Sequence, residues 1–468
     1  MASNTKSFNP NKHLKEQFVS NLNGSSKLEL FLVMVILIGS VLIRRAIGSR
    51  NIFGFSASEG FSKKNDGEIV RNKSLWAYIS TMTVDYLFIL VPFVSFLTVL
   101  SGWIYLNATL VIFFLLVLFS VRRIGSLFLQ EDGVISFRRH VTSYRVLMML
   151  ATCVCILAVD FKIFPRRYAK TETYGFSLMD LGVGSFVLAN SLVSRQARDN
   201  SITTLRNVAY SCSPLILLGF ARLIFTSGVD YQVHVGEYGV HWNFFFTLAG
   251  VAILTSIINV PSRYCGLLGF SVLAGYQFCL SRGLNKFLLS DERGTDVITQ
   301  NKEGIFSMFG YWGLYLIGVQ LGNYFLFGKH STVASRSSNW ARIRVWILCL
   351  LFWSLTLFLD QYVERVSRRM CNLAYVALVL AINLQVLAML TLSDLIPGSR
   401  ISLLEEAFNQ NLLASFLLAN VLTGLVNLSV NTLFVSSTTA LAILLAYAFI
   451  LCASVGCAYF YGLKLKFW

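Results

Sequence analysis

The sequence predicts an all-α polytopic membrane protein, a single bundle of about 13 transmembrane helices. Three observations carry that reading. The chain of 468 residues is 55% hydrophobic and only 13% charged, with 6 prolines, a composition outside the usual globular range. Apolar stretches recur along its whole length, each approaching the roughly 20 residues needed to cross a hydrocarbon core. The basic residues cluster in alternate connecting loops, as membrane orientation requires.

The stretches lie at 28–46, 76–99, 103–121, 142–160, 177–195, 208–227, 241–260, 264–281, 305–327, 343–360, 373–392, 411–429 and 436–461. The first follows the polar run MASNTKSFNPNKHLKEQFVSNLNG, which lacks the apolar core and cleavage site of a signal peptide, so a retained helix is expected from Leu28. Ser101 and Gly102 separate the second from the third without any charge, whereas Arg44, Arg45, Arg50, Lys63, Lys64, Arg71 and Lys73 crowd the loop after the first. Arg122, Arg123, Arg138 and Arg139, then Arg195, Arg198 and Arg206, then Arg336, Arg342 and Arg344, continue the alternation. Residues 1–27 therefore read as a lumenal tail, 28–461 as the membrane domain, and 462–468 as a cytosolic tail.

The net charge of +16 reads as orientation and contact with acidic lipid headgroups, not nucleic-acid binding, because no basic segment interleaves with aromatics on a soluble domain. The nine cysteines fall almost entirely inside apolar stretches with no CxxC pair, so neither a disulfide framework nor a metal site is expected. Phosphate-binding glycine loops, H-E-x-x-H and G-x-S-x-G are absent. Sequons at Asn23 and Asn72 lie hard against a span and on the expected cytosolic side, so neither is expected to carry sugar.

Function should sit where charge breaks the apolar pattern. Between Ala158 and Ser185 the chain reads AVDFKIFPRRYAKTETYGFSLMDLGVGS, putting Asp160, Lys162, Arg166, Arg167, Lys170, Glu172 and Asp180 at membrane depth or at its edge. Such groups are costly, and they face a bundle interior and mark chemistry or transport. Asp160 follows the run LMMLATCVCILAV, and Pro165 turns the chain before Lys170 ten residues on. A partly desolvated carboxylate and an ammonium so placed can act as general base and oxyanion stabiliser, or simply form an ion pair. Arg166 and Arg167 offer forked donors suited to phosphate, or salt bridges to Glu172 and Asp180.

Two further segments on the same expected face can complete a site. GVDYQVHVGEYGVHWNFF supplies His234, Glu237, His241, Trp242 and Asn243, either as a general base and ligand contacts or as an interfacial belt. VSRRMCNLAY supplies Arg368 and Arg369. In the twelfth stretch Asn420, Thr423, Asn427 and Asn431 fall within a sector of roughly 80°, a polar stripe that serves interhelical hydrogen bonding or substrate contact.

These strings, with NKEGIFSMFGYWG and LLANVLTGLVNLSV, resemble the glucosaminyl-phosphatidylinositol acyltransferases of glycosylphosphatidylinositol anchor synthesis along most of the chain. The resemblance implies an endoplasmic reticulum membrane protein that moves a long-chain, palmitoyl-type acyl group from acyl-coenzyme A to the inositol 2-hydroxyl of glucosaminyl-phosphatidylinositol. It implies Asp160 and Lys170 as the catalytic pair. It leaves Arg166, Arg167, Glu172, Asp180, His234, His241, Trp242, Asn243, Arg368, Arg369, Asn420 and Asn427 to bind substrate, with no permanently bound cofactor, metal or nucleic-acid partner. A transporter or lipid scramblase is the rival on physical grounds alone, but no inverted repeat is evident and the charge gathers at one face instead of the midplane. Lys464 and Lys466 resemble a dilysine retrieval signal, or serve as a snorkelling anchor.

Overall fold

Apolar runs without water have to satisfy their backbone internally, and here every one of the thirteen does so as a helix. The computed structural model describes residues 14, 17, 18, 20, 22–48, 75–123, 133–199, 205–228, 235–327, 338–396 and 399–465. The apolar helices are α1 (Lys27–Gly48), α2 (Leu75–Leu97), α3 (Ile104–Arg123), α4 (Gly133–Ala158), α5 (Leu181–Ser191), α6 (Leu205–Gly228), α7 (Phe244–Ile258), α8 (Ser262–Cys279), α9 (Lys302–Gly322), α10 (Ser338–Tyr362), α11 (Leu373–Leu390), α12 (Leu412–Ser429) and α13 (Ser437–Phe460). No strand occurs among the described residues beyond an isolated bridge between Gly24 and Phe176.

Eleven of these helices are long and apolar enough to cross a bilayer, which makes the chain a polytopic membrane protein. The expected spans at 177–195 and 241–260 fold as shorter helices of 11 and 15 residues. The reasons are local. Asp180 accepts from the Thr171 amide and hydroxyl, which holds the chain in a loop until Leu181, and Ser194 to Arg198 then bend away. Asn243 caps α7 by accepting from the amides of Phe245 and Phe246, and Asn259 ends it at φ +32°.

Helix α11 is the hub. It is apolar all round, and every residue from Ala374 to Leu390 is buried, which is the pattern of a helix surrounded by others. Asn372 starts it by accepting from the Tyr375 amide. Helices α1, α4, α5 and α10 pack around it, and α8 runs along α9.

Ion pairs tie the two ends of this bundle. At one end Arg45 binds Glu405 at 2.7 Å and Arg44 binds Asp85 at 2.6 Å. The amphipathic helix Leu403–Gln410 that carries Glu405 opens with a capping box between Ser402 and Glu405. At the other end lies the loop 159–180, whose residues Arg167 and Tyr168 both donate to Glu29 in the first turn of α1, at 2.6 and 2.7 Å. The segment just before α1 packs on this loop, since the Arg166 guanidinium lies 3.9 Å from the Phe18 ring centroid.

Candidate active site

Asp160 takes the first turn beyond α4, its amide donating to the Leu157 carbonyl. The side chain is buried at 7% exposure, and Asn427 of α12 donates its amide to Oδ2 at 2.7 Å. An amide donor so placed fixes the orientation of the carboxylate. Arg166 is next to this carboxylate, and its guanidinium donates to the carbonyls of Val159, Phe161 and Phe164 at 2.9 to 3.2 Å. Arg166 thus ties the loop into a knot around Asp160. Burial lowers its pKa to about 10, an effect that Asp160 opposes, and its Nη1 is buried with no partner among the described residues. A cleft of ≈ 360 Å³ opens two residues away at Lys162, lined also by Phe18, Leu433 and Phe434, with the Lys162 ammonium 5.6 Å from the Phe434 ring centroid.

Lys170 contacts a different partner. It donates to both oxygens of Glu237, at 2.8 and 3.0 Å, and not to Asp160. Glu237 also accepts from Arg368 Nη1 at 3.2 Å, and Arg368 Nε donates to Asp180 at 2.8 Å. The result is a ladder of alternating charge, Lys170, Glu237, Arg368 and Asp180, drawn from the loop before α5, the short helix Val235–Tyr238 and the loop before α11. Burial alone would raise the Glu237 carboxyl, but Lys170 and Arg368 outweigh it and hold the group at about 2. Burial would likewise lower the Arg368 guanidinium, and Glu237 with Asp180 keeps it above its ordinary value. The Lys170 side chain is the open end of the ladder, 41% exposed, whereas those of Arg368 and Asp180 are 4% and 0%.

The other expected site residues divide into structural and open positions. Arg369 and Arg293 both bind Glu303, at 2.9 and 2.7 Å. Arg167 is spent on Glu29 and on the Ser101 carbonyl. Asn243, besides capping α7, donates to the Gly219 carbonyl of α6 at 3.0 Å. The amides of His241 and Trp242 donate to Asn301, the Trp242 indole donates to Thr247, and the His241 side chain faces outward. Glu172 is half-buried in the loop. Asn420 is exposed and bonds back to Phe416 of its own helix, so of the two amides on this face of α12 Asn427 reaches Asp160 and Asn420, two turns away, does not. His234 lies outside the described residues.

Sequence reasoning missed Glu29 and Glu303 as the anchors of this face, and did not single out Glu237 as the partner of Lys170. Glu29 and Glu303 are acidic residues in the first turns of apolar helices, a signal that was present. Among the described residues no three His, Cys, Asp or Glu side chains gather as they would around one metal ion.

Residues 11–458, and not this loop alone, match a known family model, described as GWT1. The chain belongs to the GWT1 family. It is similar to an uncharacterized protein of Arabidopsis thaliana, 55% identical over 92% of this chain and 98% of the relative. It is also similar to GPI-anchored wall transfer protein 1 of Schizosaccharomyces pombe, 37% identical over 94% of this chain and 95% of the relative. A third GWT1-family relative is the glucosaminyl-phosphatidylinositol-acyltransferase PIGW of Mus musculus, 32% identical over 98% of this chain and 99% of the relative.

Proposed function

We propose that this protein is an acyltransferase of glycosylphosphatidylinositol anchor synthesis, moving a long-chain, palmitoyl-type acyl group from acyl-coenzyme A to the inositol 2-hydroxyl of glucosaminyl-phosphatidylinositol. The named activity of the mouse relative supports the acceptor, and the buried Asp160 held by Asn427 supports the chemistry. Asp160 accepts the hydroxyl proton as the inositol oxygen attacks the thioester carbonyl. The new C–O bond leaves a tetrahedral oxyanion, which the exposed Lys170 ammonium stabilises while Glu237 holds that ammonium in place. Collapse breaks the C–S bond, and the thiolate leaves with the proton held by Asp160, so the step balances without a covalent acyl-enzyme. The family assignment further supports residence in the endoplasmic reticulum membrane, with Asp160 at the lumenal end and the C-terminus cytosolic. A C-terminal epitope should then be reachable in selectively permeabilised cells and an N-terminal one protected.

The deciding experiment is transfer of labelled acyl groups by purified protein in detergent, where no transport is scored. Asp160→Asn keeps the shape of the base and removes its proton affinity, so turnover should fall about 100-fold or more. Lys170→Met should do the same. Near-normal turnover in either variant overturns the assigned role.

A further inference from the structure

The arginines at the end of the bundle away from Asp160 fall into two groups. Arg44 and Arg45 of α1 are matched by Asp85 and Glu405. Arg138 and Arg145 of α4 and Arg198 of the turn Gln196–Arg198 are not: among the described residues none of the three side chains meets a carboxylate or donates a hydrogen bond. Yet they are gathered. Arg138 and Arg145 are seven residues apart, two turns on one face of α4. Arg138 and Arg198 both lie over the ring of Phe327, at 5.7 and 5.2 Å from its centroid. Arg145 is half-buried beside Tyr144, and the charge of Arg198, another cation, reaches it.

The fold holds this arrangement in place. Phe327 ends the wide helical turn Asn323–Phe327 that continues α9, and Asn323 donates to the Ala197 carbonyl at 3.0 Å and to Asp199 at 3.2 Å. That bond fastens the Arg198 turn to α9 and occupies Asp199, the acid nearest in sequence. Phe325 of the same turn packs on Phe137 of α4, ring centroids 5.0 Å apart. Two guanidiniums from two connected layers thus share a single aromatic floor, with the half-buried Arg145 two turns along the same face of α4. Like charges brought together cost energy unless an anion completes them. Arginine forks fit phosphate oxygens, and the ring strengthens the hold on the cations.

We infer that Arg138 and Arg198, over Phe327, together with Arg145 two turns along α4, form a binding site for a phosphate-bearing ligand at the end of α4 remote from Asp160. At 1.5 Å per residue Arg145 lies roughly 20 Å along the axis from Asp160, so the site is separate from the chemistry. The phosphate comes either from the nucleotide part of a coenzyme A thioester or from an anionic lipid headgroup. Only the choice of coenzyme A as probe rests on the acyltransferase reading.

The test compares the full-length protein with Arg145→Gln and Arg198→Gln, each checked for an unaltered melting temperature, in nanodiscs. Binding of coenzyme A is titrated in neutral phosphatidylcholine discs, and retention of phosphatidylserine is scored from mixed discs by native mass spectrometry. Loss of coenzyme A affinity by 10-fold or more in both variants, with lipid retention unchanged, assigns the phosphate to the nucleotide. Loss of retained phosphatidylserine with coenzyme A binding unchanged assigns it to a lipid. Should Arg145→Gln prove unstable, the exposed Arg198→Gln carries the comparison alone. Equal behaviour of variants and wild type in both arms, or no binding of either probe by the wild type, overturns the site. Asp160→Asn should bind as the wild type does, which separates this outcome from any failure of the acyl-transfer assay.

Discussion

Asn427 donates its side-chain amide to Asp160 across 267 positions of sequence, at 2.7 Å, joining α12 to the loop that follows α4. One polar residue of a helix stripe thereby reaches one carboxylate, and kinetics separates an orienting role from a packing one. Asn427→Ala should lower kcat/KM about tenfold through kcat, by leaving the carboxylate free to turn. Because interhelical hydrogen bonds in membranes average about 0.6 kcal/mol, the melting temperature should move little. A large drop in melting temperature with unchanged kinetics would show that the bond holds helices and nothing more.

Glu237 gives a pH signature. Its folded carboxyl is depressed from 4.5 to about 2, so its contribution to stability is fully present above pH 4.5 and is lost progressively as pH falls toward 2. Glu237→Gln should destabilise the protein at pH 7 by roughly 3 kcal/mol at most, and the gap from wild type should narrow at pH 3.5. A gap that stays constant between the two pH values would count against the ladder. Acyl transfer should fall as well, because Lys170 loses the partner that holds it.

Asn243 separates capping from substrate contact. Asn243→Ala removes the acceptor for two α7 amides and the bond to Gly219, and should cost about 1 kcal/mol or more of stability with KM unchanged. Asn243→Ser restores a capping oxygen and should recover part of that loss. A raised KM in both variants, with stability unaltered, would instead assign Asn243 to the substrate.

Gly310 tests the loop that presents Arg368 and Arg369. A Cβ at this position of α9 would run into the backbone oxygen of Cys371, itself held at φ +49°. Backbone cannot rotate away as a side chain can, so Gly310→Ala should cost about 1–3 kcal/mol and disturb both arginines. Thermal melting in detergent reads the effect, and a variant as stable as wild type would mean that α9 and the loop separate freely.

The sequence by itself determined the fold class and the places of the thirteen helices, because satisfying a backbone without water leaves a long apolar run no other form. It also marked the loop from Asp160 to Asp180 as the first candidate for function, since charge at membrane depth is costly. Only the tertiary structure decided who pairs with whom. Lys170 meets Glu237 at 67 positions' distance and Arg368 meets Asp180 at 188, choices that depend on which loops the bundle brings to one end. The same packing shortened α5 and α7 through Asp180 and Asn243, brought Asn427 to Asp160 while Asn420 of the same face stays exposed, and left Arg138, Arg145 and Arg198 without an acid among the described residues. A carboxylate's spacing along the chain states what it can do, and its neighbours in space determine which cation it holds.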